Sequence, residues 1–189
     1  MAKLIYSMLM SLDGFVEGPD GGITWGMPDP EVHDHITELS ATVGTHLYGR
    51  RMYDTMVYWE TAPVQPGLPD FALGFARTWQ AAEKVVYSRT MTQPRSARTR
   101  IEPEFDIAAV RRLKETAAMD ITISGPELAG HALRAGLVDT YQLILCPVIL
   151  GGGKRFFPDR ATQSLQLTGS RSFDSGVVVL HYSDVSGTK

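Results

Sequence analysis

The sequence holds a single cysteine, Cys146, so no internal disulfide can form. That excludes a disulfide-stapled scaffold and fits a reducing compartment. Cys146 lies in an apolar run, which points to a buried, inert thiol and not to a nucleophile. One cysteine also rules out the P-C-x-x-C half of a zinc deaminase site. No apolar run approaches the ~20 residues of a membrane span. The opening Met1-Ala-Lys-Leu-Ile-Tyr6 lacks the apolar core and cleavage site of a signal peptide, so a cytoplasmic protein is expected. No basic run exceeds Arg50-Arg51 or Arg111-Arg112, and the net charge of -3 argues against a nucleic-acid binder. G-x-G-x-x-G is absent, which defeats a Rossmann reading, and so is the G-x-S-x-G elbow of a hydrolase. No metal site is expected. His33 and His35 stand about 200° apart on a helix, and His46, His131 and His181 are scattered. There is no internal repeat and no low-complexity segment.

What is present suits one ordinary globular domain of 189 residues, with 43% hydrophobic and 21% charged content. Lys3 to Leu12 reads as a buried central strand. Asp13-Gly14 ends it, and the glycines at 14, 18, 21 and 22 make residues 13–28 a mobile loop carrying Trp25. A helix is expected from Glu31 to Thr42, with Val32, Ile36 and Leu39 inward and proline near its start. Thr45–Tyr48 reads as a strand, followed by Gly49 and a helix from Arg50 to about Tyr58. Residues 60–69 form a proline-rich loop, and Phe71 to Ala82 another helix. Lys84–Ser88 is a strand, and Thr92–Arg100 an exposed connection. Asp106 caps a helix with Ile107, Val110, Leu113 and Ala117 inward. Ile121–Ile123 is a strand, Pro126–Gly136 a helix and Thr140–Ile149 an apolar strand. Two closing strands, near Ser164–Arg171 and Gly176–Tyr182, are antiparallel. Alternating strands and helices predict an α/β sandwich with a mixed, mostly parallel sheet and an antiparallel C-terminal part.

Three strand ends carry groups suited to phosphate. Gly49-Arg50-Arg51-Met52 follows one strand, Ser88-Arg89-Thr90 the next, and Ser124-Gly125-Pro126 with Leu128 opens a helix. Helix N-termini present unpaired N–H groups and a positive dipole end, and arginines offer fork-shaped donors. In open α/β sheets ligands bind outside the carboxyl ends of strands. A dinucleotide fits this order, with pyrophosphate on the helix starts and a separate anion at Arg89. An arginine near the ribose favours the 2′-phosphate of NADP. Gly151-Gly-Gly153-Lys154 is not a P-loop, since Arg155 replaces Ser/Thr, and it reads as a tight turn. Candidate proton donors are Asp13 at a strand end and Asp29 and Glu31 at a helix start. Trp25 and Trp59 are candidates to wall an aromatic substrate, with core packing the competing role.

Ser11-Leu-Asp13-Gly14, Gly49-Arg50-Arg51-Met52-Tyr53-Asp54, Lys84-Val-Val-Tyr-Ser88-Arg89-Thr90, Gly136-Leu-Val-Asp139 and Pro147-Val-Ile-Leu-Gly151-Gly-Gly153-Lys154-Arg-Phe156 stand in one order. In that order they resemble the dihydrofolate reductase superfamily, in its bacterial RibD C-terminal-like branch, named for the reductase domain of riboflavin biosynthesis. The resemblance implies a single dihydrofolate reductase-like three-layer α/β/α domain, NADPH as hydride donor, and a homodimer partly built on Thr140–Ile149 and the loop after it. It implies that Gly49, Arg50, Arg51 and Met52 hold phosphates and that Ser88 and Arg89 take the adenosine 2′-phosphate. Ser124, Gly125 and the helix start would take the pyrophosphate. The sequence departs from the pattern at Met52, often threonine in the family, and at Ser124-Gly125, often Gly-Gly. The acid after Trp25-Gly-Met-Pro28 is displaced by one residue from its place in true dihydrofolate reductases.

The implied activity is NADPH-dependent reduction of a small heterocycle, pterin- or ribosylaminopyrimidine-like, as in 5-amino-6-(5-phosphoribosylamino)uracil reductase. A non-catalytic NADP(H)-binding sensor and a flavin-binding oxidoreductase are the alternatives. No acid sits beside Arg89 in the sequence. NADPH is therefore expected to bind at least tenfold more tightly than NADH, about 1.4 kcal/mol. Arg89→Ala should erase most of that gap in a fluorescence titration. Equal affinity of the unmutated protein for both would defeat the assignment.

Overall fold

The computed structural model describes residues 1–64, 67–159 and 161–185. Ten strands and six α-helices follow one another as β1 (Leu4–Ser11), β2 (Phe15–Glu17), α1 (Pro30–Ser40), β3 (Val43–Gly49), α2 (Arg50–Met56), α3 (Tyr58–Thr61), α4 (Asp70–Ala81), β4 (Glu83–Tyr87), β5 (Thr99–Glu102), α5 (Ile107–Thr116), β6 (Asp120–Ser124), α6 (Pro126–Arg134), β7 (Thr140–Cys146), β8 (Lys154–Arg155), β9 (Leu165–Ser172) and β10 (Val178–Asp184) among the described residues. Eight strands form one sheet in the order β5-β4-β3-β6-β1-β7-β10-β9. The six from β5 to β7 are parallel; β10 runs against β7 and β9 against β10.

Pleating sends alternate residues to opposite faces, and each face buries a helix layer. Leu47 and Val85 join Val110 of α5 and Leu128, Ala129, Ala132 and Leu133 of α6 in one core cluster. Their neighbours Tyr48 and Val86 face the other way, against Phe75 and Trp79 of α4. Val32 of α1 closes that second face over Ile144, Cys146 and Val179. The result is the expected three-layer arrangement. Burial raises the Cys146 thiol to about 11, which keeps it protonated and unreactive.

Polar groups inside this core have specific work. The Lys84 ammonium donates to the carbonyls of Trp79 (3.2 Å) and Gln80 (3.4 Å) and lies 4.3 Å from the Trp79 ring centre. It thereby closes the last turn of α4, where unpaired carbonyls favour a cation. Asp139 accepts the Leu4 N–H at 2.7 Å and pairs with Lys114 at 2.7 Å. The Gly136-Leu-Val-Asp139 motif therefore fastens the start of β1 to α5.

Several expectations are corrected. The helix after Gly49 breaks at Val57 into α2 and α3. Residues 60–64 are largely helical, and Gln65 and Pro66 of the expected proline-rich loop lie outside the described residues. The exposed connection over Thr92–Arg100 ends in an edge strand, β5, because Thr99–Glu102 can pair with the end of β4. Ile107 is 45% exposed, since α5 turns Val110 and Leu113 inward and leaves its first residue at the rim. In the expected mobile loop, Phe15 and Val16 are buried and β2 pairs with β8, so only residues 18–28 are left as a connection. The strand expected over Thr140–Ile149, and expected to help form a homodimer, ends at Cys146 and is paired on both sides within the sheet. β7 is an interior strand buried on both faces, while Ile149 is 74% exposed.

His46 of β3 is buried, its Nδ1 2.6 Å from the Thr122 hydroxyl and its ring stacked on Tyr48. Burial, with a minor contribution from the Lys84 charge, lowers its pKa from 6.5 to about 3. The unfolded chain therefore binds a proton below pH 6.5 that the folded chain refuses until about pH 3. Stability present above that window is lost as pH falls through it, at up to about 1.4 kcal/mol per pH unit. Denaturant titrations between pH 7 and 4 should show this decline, with a shallower slope in His46→Gln; an identical slope would remove His46 from the account.

Candidate active site

The parallel strands β3, β4 and β6 end along one edge of the sheet, and a groove of about 790 Å³ opens there. Gly49, Arg50, Arg51 and Met52 line it from the β3–α2 junction. Ser88 and Arg89 line it from the end of β4, and Gly125, Pro126 and Leu128 from the start of α6. The structure thus brings together nine of the eleven residues expected to bind a cofactor. The other two are not among its lining residues. Thr90 accepts from the Arg50 guanidinium at 2.8 Å and holds that side chain. Ser124 is buried, its hydroxyl donating to the Ser7 carbonyl at 3.0 Å.

The junction of β6 with α6 depends on glycine. Gly125 has φ +97°, a conformation costly for other residues, and the Met8 sulfur accepts its N–H at 3.1 Å. Ser124 needs no such angle; only Gly125 of the pair turns. Pro126 then opens a nine-residue helix whose free N–H groups face the groove. α2 has only seven residues, so its dipole is short, and the charge on that side comes from Arg50 and Arg51.

Four cations line the groove, and three of them are paired with carboxylates. Arg50 Nε lies 3.6 Å from Asp54, Lys154 Nζ lies 2.7 Å from Glu127, and Arg89 Nε lies 3.9 Å from Glu104. Lys154 holds the Glu127 carboxyl below its usual range. Arg51 makes no ion pair among the described residues. Ser88 accepts the N–H groups of Thr90 (3.3 Å) and Met91 (3.0 Å), which fixes the turn and leaves its hydroxyl proton to donate. Phe105 forms an aromatic wall, its ring 5.3 Å from Tyr87 and 5.8 Å from His131.

Sequence reasoning missed Tyr87, Glu104, Phe105, Glu127 and His131, which all line the groove. Glu104 and Phe105 lie between β5 and α5, and with β5 unread nothing placed that segment beside Arg89. The glycine-rich turn held the one available signal, because Lys154 follows Gly153 directly.

The three carboxylates considered as proton donors are engaged elsewhere. Asp13 accepts from the Ser11 hydroxyl at 2.7 Å and from the N–H groups of Leu150 (3.1 Å) and Gly151 (2.7 Å). The Ser11 hydroxyl, followed by those amides, lowers its pKa to about 2, so at neutral pH it has no proton to give. Asp29 caps α1 through the Val32 N–H at 3.0 Å, and Ser175 and that N–H hold its pKa down. Glu31 pairs with Arg171 of β9 at 3.2 Å. Trp59 packs with Phe75 and with His33, which α1 buries against Phe71 and Phe75 and whose pKa burial lowers. Trp25 donates to the Gly22 carbonyl at 3.1 Å and packs on the Val32–Ile144 cluster. The two indoles therefore flank α1 on its two sides; Ile36 touches both clusters. Neither lines the groove.

The fold is a three-layer α/β domain with a groove at the carboxyl ends of its parallel strands. The chain belongs to the RibD C-terminal domain family, whose model matches residues 2–179. It is 30% identical over 182 residues to the protein YyaP of Bacillus subtilis (strain 168), covering 95% of this chain and 94% of that one. A putative riboflavin biosynthesis protein from Shewanella sp. PV-4 has the same fold, with a TM-score of 0.74 at 19% identity over 97% of this chain and 99% of that one. The Thermotoga maritima diaminohydroxyphosphoribosylaminopyrimidine deaminase/5-amino-6-(5-phosphoribosylamino)uracil reductase superposes with a TM-score of 0.68 at 13% identity, over 97% of this chain and 56% of that one. The fold is thus that of RibD-like reductases, in the dihydrofolate reductase-like superfamily. No helix among the described residues is long and apolar enough to cross a membrane.

The glycine-rich turn serves the site's frame. Gly153 has φ +118°, and a Cβ there would stand 1.9 Å from the Glu17 carbonyl oxygen. Only glycine lets β8 approach β2, which brings Lys154 to the groove. Gly153→Ala should cost about 3 kcal/mol or more, the combined effect of strain and a backbone clash. Chemical denaturation measures this, and an unchanged midpoint would show that the ribbon is not so packed.

Proposed function

We propose that the chain is an NADPH-dependent reductase of a small heterocyclic substrate, pterin- or ribosylaminopyrimidine-like. The observation that carries this reading is the groove itself, which joins a glycine-opened helix start to four cationic side chains and an aromatic wall. Its volume suits a cofactor-sized ligand. The residues fit a dinucleotide. The free N–H groups of Glu127 and Leu128 at the start of α6, which Gly125 leaves open to close approach, would take the pyrophosphate with Arg51 and with Arg50, which Thr90 and Asp54 hold ready. Ser88 and Arg89 would take the 2′-phosphate, and Phe105 offers its ring to the adenine. Met52 would add a backbone N–H, and its side chain packs on the Tyr48–Trp79 cluster. The bound cofactor would supply a hydride. This chain's own contribution is to bind and orient it. A homodimer in the cytoplasm remains part of the proposal.

The engagement of Asp13, Asp29 and Glu31 favours one competing reading, a dinucleotide-binding sensor without turnover. Loss of reduced-nicotinamide absorbance, followed over a panel of pterins, pyrimidines and small carbonyls, separates the two. Oxidation with at least one substrate is expected. Arg51→Ala should weaken NADPH binding about tenfold, near 1.4 kcal/mol, as loss of a charged phosphate contact does. Binding without oxidation of any substrate would favour the sensor. FMN binding in place of NADPH would favour a flavin protein.

A further inference from the structure

Arg89 and Glu104 face each other across the rim of the groove, Nε to Oε1 3.9 Å apart, with side chains 80% and 75% exposed. The sequence expectation that no acid stands beside Arg89 is corrected here. The two residues reach the rim from different elements, Arg89 from the end of β4 and Glu104 from the turn after β5. A pair this exposed adds little to folding, because solvent screens it and long side chains lose freedom to form it. Its placement matters more. Arg89 is the cation on which the dinucleotide reading sets the 2′-phosphate, and Glu104 stands where that phosphate would arrive.

Resting on that reading, we infer that Glu104 sets the dinucleotide preference of the groove by opposing Arg89. The two side chains prefer different ribose chemistries. A guanidinium holds a 2′-phosphate in a forked contact. A carboxylate repels that phosphate and accepts a hydrogen bond from a free 2′-hydroxyl. Glu104 thus weakens NADPH and supports NADH at one position, so the preference for NADPH is smaller than Arg89 alone would give. The other groove cations are farther along the ligand or already held. Arg50 is tied to Thr90 and Asp54, and Lys154 to Glu127. Arg111 is the one competitor, lining a shallow depression that shares Glu104 and Phe105 with the groove.

Dissociation constants for NADPH and NADH, measured by fluorescence titration of the full chain, test the inference. Glu104→Gln should raise the NADPH:NADH preference about fivefold or more, the size expected when one of two like charges about 6 Å apart is removed at an exposed site. That gain should shrink in high salt. Glu104→Asp should retain most of the original ratio. Arg89→Ala should erase most of the preference for NADPH, because Glu104 remains to oppose the 2′-phosphate and to accept the 2′-hydroxyl. A ratio unchanged within about twofold in Glu104→Gln, with both dinucleotides bound, would overturn the inference and leave the dinucleotide reading intact. Loss of NADPH preference in Arg111→Ala but not in Arg89→Ala would also overturn it, by moving the phosphate to the neighbouring depression. Failure of the unmutated protein to bind either dinucleotide would overturn both.

Discussion

The groups at Gly49, Ser88 and Gly125 that frame the groove stand where they do because β3, β4 and β6 run parallel in a fixed register. Tyr48 pairs with both Val86 and Ser124, so the three strands stop together. Parallel strands need crossover connections, and each crossover leaves from the same, carboxyl end of the strands. Gly49, Ser88 and Gly125 are therefore neighbours in space although far apart in sequence. The apolar faces hold that edge in place. Leu47, Val85 and Ile123 anchor it from one side, and Tyr48, Val86 and Trp79 from the other.

Charge in the groove is balanced, not simply positive. Asp54, Glu104 and Glu127 each stand beside a cation. Without a ligand these pairs limit self-repulsion among clustered arginines and hold some side chains in place. A phosphate of the proposed cofactor would have to displace or outcompete these carboxylates, so its binding would be an exchange of anions. Exchange of this kind gives selectivity by charge number and by position more than by raw affinity.

Much of this was legible in the sequence, and the reason is periodicity. β1, β7 and the helices α1, α4, α5 and α6 have apolar spacing, and the helices have start signals such as the cap Asp106 and the first-turn Pro126, all of which depend on local chemistry. The groove residues at the strand ends were legible because glycine, arginine and serine cluster there. The hidden parts all rest on long-range pairing. β5 is a four-residue edge strand with an arginine in it, and its local pattern is that of a loop. β2 and β8 are short and pair residues more than a hundred positions apart, through a turn that only Gly153 permits. Glu104 gains its meaning from Arg89, with which it shares no element. Asp13 reads as a turn former or a catalyst from sequence; its three hydrogen bonds make it the clamp between β1 and residues 150–151.

The central position of β1 has a consequence for synthesis. Leu4–Ser11 leaves the ribosome well before its partners β6 and β7, which begin at Asp120 and Thr140. At the usual elongation rates the gap between them is roughly 5–25 s. During that interval a strand destined for the middle of the sheet exposes both backbone edges and its apolar side chains. Such strands pair readily with the wrong partner. The nascent chain therefore has a defined period in which a chaperone that shields short apolar segments protects it, and that period closes when β7 emerges and seals β1 on its second side.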